Sequence, residues 1–275
     1  MNTIPRLITG FALLAVITAA LLYGGRVMLG LASLVSALAL WELYELFWPK
    51  GNLLSKLLAS VFGAVFVAAH GCPYVSSLGL LIGFTLLLAL IFLIIWGIGV
   101  YDIDMKAFAA LLYGVVYIAV PFSMALSLSL PEQFFVLFIA IMTDTGGYFC
   151  GLYFGKHKIW PSVSPKKTIE GSLGGLLATL ALCLAVGYGA PKIALLAPLA
   201  KLPLPLWGWL VLGLVLNIAA QTGDFFESAL KRSCYAKDSG GLLPGHGGIL
   251  DRVDSLLLVI PAYLFARYLL LTFAG

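Results

Sequence analysis

The sequence predicts an all-α, polytopic integral membrane protein of about nine transmembrane helices with a cytoplasmic N-terminus, and three observations carry that prediction. Hydrophobic residues make up 62% of the 275 positions and mean hydropathy is +1.07, a composition that a soluble fold does not tolerate. Apolar runs of about 18 residues or more recur along the chain, each long enough to cross the hydrocarbon core. The runs are continuously apolar and lack the period of two that a membrane β-barrel requires.

The spans fall, in order, at 7–23, 27–47, 54–70, 78–100, 107–129, 134–154, 173–190, 206–222 and 256–273. An odd number places the termini on opposite faces. One face then holds Arg6, Lys50, Lys56, Lys106, Lys156, Lys158, Lys166, Lys167, Lys231, Arg232, Lys237 and Arg252, and the other only Arg26, Lys192, Lys201 and Arg267. Twelve of the 16 basic residues on one side mark that side as cytoplasmic. The first segment has the basic flank and small residues of a signal peptide, yet eight spans follow it and an uncleaved first span fits the charge pattern, so it is read as a span. Cys72, Cys150, Cys183 and Cys234 lie in separate segments without C-x-x-C spacing, which indicates neither a disulfide framework nor a zinc site. The net charge of +4 follows from the cytoplasmic bias and does not indicate a nucleic-acid partner.

Chemistry is concentrated in the C-terminal half. Residues 1–132 hold five spans, short loops and few candidate groups, whereas 133–275 hold the last four spans and two long cytoplasmic loops, 155–172 and 223–255. Glu42, Glu45, His70, Asp102 and Asp104 read as interfacial or structural. No internal repeat is visible, which weakens a transporter reading, since many transporters are built from repeated halves.

Four constellations stand out. The stretch 228–255 gathers Lys231, Arg232, Lys237, Asp238, His246, Asp251, Arg252 and Asp254 around a glycine-rich turn that includes Gly247 and Gly248, in a chain with only 10% charged residues. Cations, carboxylates and glycines together suit a polyphosphate held on Lys, Arg and backbone N–H groups, with a divalent cation on carboxylate oxygens. Asp251 and Asp254, three apart at the start of the last span, share a helix face and can converge on one cation; dipole capping accounts for one carboxylate more readily than for two. Gln221-Thr222-Gly223-Asp224 closes the eighth span at the membrane edge, and Phe225, Phe226 and Glu227 follow as a helix that could continue. There Glu227 is expected to pair with Lys231 at i,i+4, while Asp224 is favoured as a metal ligand.

Asp144, in Asp144-Thr145-Gly146-Gly147-Tyr148, lies inside the sixth span, where a carboxylate costs several kcal/mol unless it lines a cavity or finds a partner. The Gly146-Gly147 pair is expected to loosen the helix and let backbone or ligand approach; proton coupling and catalysis both remain open for this acid. The loop 162–172 combines Pro165, Lys166, Lys167 and the hydroxyls of Ser162, Ser164, Thr168 and Ser172. It suits a phosphate cradle and a topogenic basic loop equally well.

The pattern S-x-x-K-R-x4-K-D-x-G-x3-P-G-H-G-G-x-x-D-R-x-D from Ser228 to Asp254 resembles the C-terminal signature of phosphatidate cytidylyltransferases, or CDP-diacylglycerol synthases. The S-P-K-K-T-x-E-G stretch from Ser164 to Gly171, D-T-G-G-Y at Asp144 and Q-T-G-D at Gln221 resemble that family in the same order. The resemblance covers roughly the last 130 residues. It implies condensation of CTP with phosphatidate to CDP-diacylglycerol and pyrophosphate. Short loops and the lack of a long N-terminal extension lead to the expectation of a bacterial inner (plasma) membrane with the site facing the cytoplasm, although the residues also suit an endomembrane.

By that resemblance Asp224 and Asp251 would hold Mg²⁺, with Asp254 beside them and a second cation left open. Lys231, Arg232, Lys237 and Arg252 would neutralise the triphosphate and the lipid phosphate, helped by Lys166, Lys167 and Ser164, with Asp238 also in the catalytic set. His246, Gly247 and Gly248 would contact phosphate, and Asp144 would orient the metal site or a lysine. No general base is needed, because the phosphatidate phosphate is already ionised. A homodimer stays open. The rivals are a cation- or proton-coupled transporter using the acids as a relay, and a CDP-alcohol enzyme, whose D-x-x-D-G-x-x-A-R pattern is not found.

Overall fold

The computed structural model describes residues 3–48, 53–70, 79, 82–83, 105–202, 204–242 and 247–273. Helices cover eight of the nine expected spans: α1 (Thr3–Tyr23), α2 (Gly25–Phe47), α3 (Leu53–Ala69), α4 (Met105–Gly114) continuing to α5 (Val120–Ala125), α6 (Leu130–Phe154), α7 (Ile169–Gly189), α9 (Leu206–Ser233) and α10 (Leu250–Phe273). A short α8 (Ala197–Ala200) lies between α7 and α9. Nearly all of the expected span at 78–100 lies outside the described residues, as do Asp102 and Asp104. Among the described residues, α2, α6, α7, α9 and α10 are long and apolar enough to cross a membrane.

The chain divides into two compact units: Met1–Ser127 with Ser239–Leu250, and Leu128–Asp238 with Asp251–Gly275. In the first, α2 and α3 pack through Gly63, where an added Cβ would run into Leu40. Tyr44 donates to the Leu111 carbonyl at 3.0 Å, and its ring fills the space beside Gly114. Between α4 and α5 the chain makes a π-helical turn over Val115–Ala119, just before Pro121. A proline has no N–H and crowds the carbonyl four residues back, and the wider turn absorbs both effects. Of the acids read as structural, Glu45 pairs with Lys56 at 2.7 Å, and buried Glu42 accepts from Ser239, Ile249 and Leu250. His70 Nδ1 lies 3.2 Å from Ser123 Oγ.

In the second unit, α6 begins at a capping box in which Glu132 accepts from the Ser129 backbone N–H at 2.8 Å. The same carboxylate accepts from Tyr263 at 2.9 Å and Arg267 at 2.7 Å, which ties the far end of α10 to the start of α6. Helices α6 and α7 meet backbone to backbone. A Cβ on Gly146 would stand 2.6 Å from the Gly174 carbonyl oxygen, one on Gly171 2.7 Å from that of Gly147, and one on Gly175 2.6 Å from that of Thr143. Such close approach by small residues is the means of helix association where lipid is as apolar as leucine. The expected approach of a neighbouring backbone at Gly146 and Gly147 is found, whereas the expected loosening is corrected: α6 runs unbroken through them.

Both long loops are also corrected. Residues 155–172 contain an antiparallel hairpin, β1 (Lys158–Trp160) and β2 (Ser164–Thr168), and then the first turn of α7. The pairs Lys158 with Thr168 and Trp160 with Ser164 leave extra residues on β2, where Pro165 has no N–H to give a ladder. Thr168 ends the strand and caps α7, its hydroxyl accepting from Gly171 N–H at 3.1 Å. In the other region, α9 continues eleven residues past the expected end at 222, to Ser233. Hydropathy falls there, but the helix is carried on by Glu227–Lys231 pairing at i,i+4 and 2.6 Å, as the spacing led one to expect.

Candidate functional site

A cavity of about 590 Å³ opens in the second unit where α6, the hairpin, α7 and α9 converge. Helix α6 lines it with Thr143, Asp144, Gly147, Tyr148, Gly151 and Leu152. The hairpin contributes Lys158, Ile159, Lys166, Lys167 and Thr168; Gly171 and Ser172 come from α7, and Gln221 and Asp224 from α9. Three lysines and two carboxylates thus face one space. Tyr148 and Leu152, largely exposed on α6, give the cavity an apolar margin.

Each charged group is placed by its element. Lys166 and Lys167 are on β2, whose position is fixed because its strand partner leaves α6 and its last residue caps α7. Lys167 forms an ion pair with Asp224, and its ammonium stands 4.2 Å from the centre of the Phe225 ring. Asp144 and Asp254 lie within electrostatic reach of Asp224, of Lys167 and of each other, and Arg252 reaches Asp144. At Gly223 helices α9 and α10 touch, a Cβ there standing 2.6 Å from the Asp254 carbonyl oxygen, and this contact brings Asp254 beside Asp224. Asp254 is buried and its Oδ1 accepts from the Ser255 N–H at 2.7 Å.

A second cluster sits along the same two helices. Lys231 reaches Asp251 at 2.5 Å and Glu227 at 2.6 Å, and Glu227 is in turn an electrostatic neighbour of both Asp251 and Asp254. The acids from Asp144 through Asp224, Asp254 and Glu227 to Asp251 therefore form a continuous series interleaved with Lys167 and Lys231. Among the described residues no three His, Cys, Asp or Glu side chains close into a ligand set. The donors are hard carboxylate oxygens, the kind that Mg²⁺ takes, each within electrostatic reach of the next in the series.

Other expected residues stand apart from the cavity. Arg232 donates to the carbonyls of Val163 at 3.3 Å and Ala236 at 3.1 Å, which ties the end of α9 to the hairpin turn. Lys237 and Asp238 are exposed in the turn after α9, and Ser164 starts β2 opposite Trp160. Gly247 has φ of 78°, a left-handed conformation that glycine adopts freely. A Cβ on Gly248 would collide with Ser239 and Glu42. His246 lies outside the described residues.

Residues that the sequence reading left out of the site complete its wall. Lys158 lines the cavity and its Nζ stands 3.5 Å from the Lys166 carbonyl oxygen. Gln221 accepts from Ser172 and donates to the Ser172 carbonyl at 3.2 Å and to Asn217 at 2.6 Å. Asn217 donates to Thr143 at 3.1 Å and Thr179 at 3.3 Å, so a buried polar network joins α6, α7 and α9 directly behind the cavity. The signal for it was a set of polar residues inside apolar spans, each innocuous alone.

Comparison with known proteins agrees with this inventory. The cytidylyltransferase family matches the chain over residues 4–270. A phosphatidate cytidylyltransferase of Staphylococcus aureus (strain COL) is 34% identical over 263 residues, covering 93% of this chain and 95% of that one. One of Bacillus subtilis (strain 168) is 43% identical over 141 residues, 51% of this chain and 48% of its own, and one of Staphylococcus haemolyticus (strain JCSC1435) 43% over 127 residues, 46% and 45%. The match extends through the N-terminal spans, where hydrophobic character was the only sign of kinship. With its order of motifs, its lysine-lined cavity and its alignment over nearly the full length, the chain belongs to the cytidylyltransferase family.

Proposed function

We propose that this protein condenses CTP with phosphatidate, giving CDP-diacylglycerol and pyrophosphate, at the cytoplasmic face of a bacterial inner membrane. A phosphate-monoester oxygen of the lipid attacks the α-phosphorus of CTP; the new P–O bond forms as the bond to the β-phosphate oxygen breaks, and pyrophosphate departs with that electron pair. Two polyanions must meet, so suppression of repulsion and in-line positioning are the main tasks.

The single observation that carries this reading is the Lys167–Asp224 pair inside a cavity that also holds Lys158, Lys166 and Asp144 and is bordered by exposed apolar residues of α6. Both members are about a quarter exposed, and a pair of that kind is worth only on the order of 1 kcal/mol, so substrate can exchange it. Lys167 then turns to phosphate oxygens, with Lys158 and Lys166 beside it. Mg²⁺, which would be held by Asp224, Asp254 and Asp251, supplies charge neutralisation on the triphosphate when bound. Arg252, an electrostatic neighbour of Asp144, would meet the lipid phosphate, while Tyr148 and Leu152 would keep the acyl end against an apolar surface.

Nine spans with a cytoplasmic N-terminus put the hairpin and the ends of α6 and α9 on the same side as CTP, which the uneven division of basic residues supports. The family match, the absence of repeated halves and a polyphosphate-sized cationic cavity all favour nucleotidyl transfer over coupled transport. The test is Mg²⁺-dependent formation of CDP-diacylglycerol from CTP and phosphatidate by the purified protein in detergent. Turnover that vanishes in folded Asp224→Asn and Asp251→Asn is expected. No turnover by a well-folded parent would overturn the proposal.

A further inference from the structure

We propose that Glu42, on the second helix of the N-terminal half, is a positioning residue for the transfer reaction: its carboxylate clamps the glycine-rich loop and sets the first turn of α10. This rests on the function proposed above, because it names what holds that site's machinery in place.

Glu42 is 2% exposed in a mostly apolar helix. A carboxylate so placed is costly unless its oxygens are satisfied. Three donors converge on it, all from residues almost 200 or more positions away in sequence: Ser239 Oγ at 3.1 Å, Ile249 N–H at 3.0 Å and Leu250 N–H at 2.8 Å. Leu250 is the first residue of α10. The first N–H groups of a helix have no partner within it and carry the positive end of its dipole. Glu42 thus caps α10 from another helix.

The carboxylate also explains glycines in the loop. A Cβ on Gly240 would stand 2.7 Å from Glu42 Oε1, and one on Gly248 would collide with the same carboxylate and with Ser239 Oγ. Gly248 follows Gly247, whose φ of 78° is left-handed. Among the described residues of the loop, Gly240 and Gly248 both sit against Glu42. Asp251 follows Leu250 directly and Asp254 comes one turn later on the same helix. Rotation or fraying of the first turn moves both carboxylates, with no contact between Glu42 and substrate required. A cap that served folding alone would lower stability without changing how the folded enzyme uses Mg²⁺.

The test compares the parent with Glu42→Gln, Glu42→Asp, Ser239→Ala and, as control, Glu45→Gln, which lies on the same helix and pairs with Lys56. Hydrogen–deuterium exchange in detergent reads the clamp without needing turnover. Glu42→Gln is expected to accelerate exchange across 239–242 and 247–250 by about tenfold while α7 keeps its parental protection. Its Mg²⁺ half-saturation is expected to rise about tenfold with a fall in kcat, with partial recovery in Glu42→Asp, a smaller shift in Ser239→Ala and none in Glu45→Gln. Unchanged exchange in Glu42→Gln overturns the clamp. Faster exchange with parental Mg²⁺ half-saturation and kcat overturns the positioning role and leaves a structural cap. If Glu42→Gln does not fold, Ser239→Ala and Glu42→Asp are judged by the same two readouts. A parent that binds no CTP and does not turn over defeats the proposed function, while the exchange data still decide the clamp.

Discussion

At the residue scale, two lysines of one unit serve opposite ends. Lys167 is paired with Asp224 in an open cavity, whereas Lys231 is 12% exposed between Glu227, at 1%, and Asp251, at 10%. A buried ammonium that bridges two carboxylates is expensive to delete, on the order of 3–5 kcal/mol, because it leaves uncompensated charge. Lys231→Met is therefore expected to lower thermal stability sharply and to lose activity as a result. Lys167→Met is expected to keep the parental melting temperature within a few degrees and to lose at least about a hundredfold in kcat/KM, the scale on which removal of one charge-stabilising group acts. Thermal unfolding and steady-state kinetics on the two variants separate these outcomes; equal stability losses would contradict the division. Lys158→Met, which removes a more peripheral cation, is expected to raise the KM for phosphatidate a few-fold, an effect that shrinks as salt rises.

Among the elements, the α6–α7 contact and the polar network behind the cavity set the geometry. Gly174→Leu places a side chain against Cys150 and the Gly146 carbonyl, and overpacking of this kind costs about 1–3 kcal/mol or more. A melting point that does not fall would count against the backbone contact. Asn217→Leu removes the donor shared by Thr143 and Thr179 and the acceptor of Gln221, a loss of about 1–3 kcal/mol if the orphaned groups find no water. The helices themselves were legible from apolar runs, and the Glu227–Lys231 pair from its spacing. The hairpin was not, since strands of three and five residues are too short to show a period and lie in a stretch rich in turn formers. Continuation of α9 through Glu227 was open in the sequence, but its extent to Ser233 was hidden because hydropathy reports where lipid ends, not where hydrogen bonding ends.

Over the whole molecule, the sequence shows which half carries the motifs but not how distant segments meet. Asp224 and Lys167 are each visible as candidates, yet nothing local states that they pair. Glu42 looked structural, and its partners lie almost 200 residues or more along the chain. Topology belongs to this scale too. Single cysteines replacing Ser162 in the hairpin turn and Lys192 beyond α7, in a background without native cysteines, are expected to react with an impermeant maleimide from opposite sides of the membrane, Ser162→Cys from the cytoplasm. Labelling of both from one side would overturn the proposed arrangement of spans.

The touching glycine faces of α6 and α7 bear on how the protein is made. These helices are consecutive, joined by a connection of only 14 residues, so their contact can form while the ribosome is still adding α9. The hairpin that carries Lys166 and Lys167 is pinned as soon as they close. Lys167 is made 57 residues before Asp224, so the lysine is already on its hairpin when its carboxylate partner is added. The ion pair in the cavity can close only once α9 has been made.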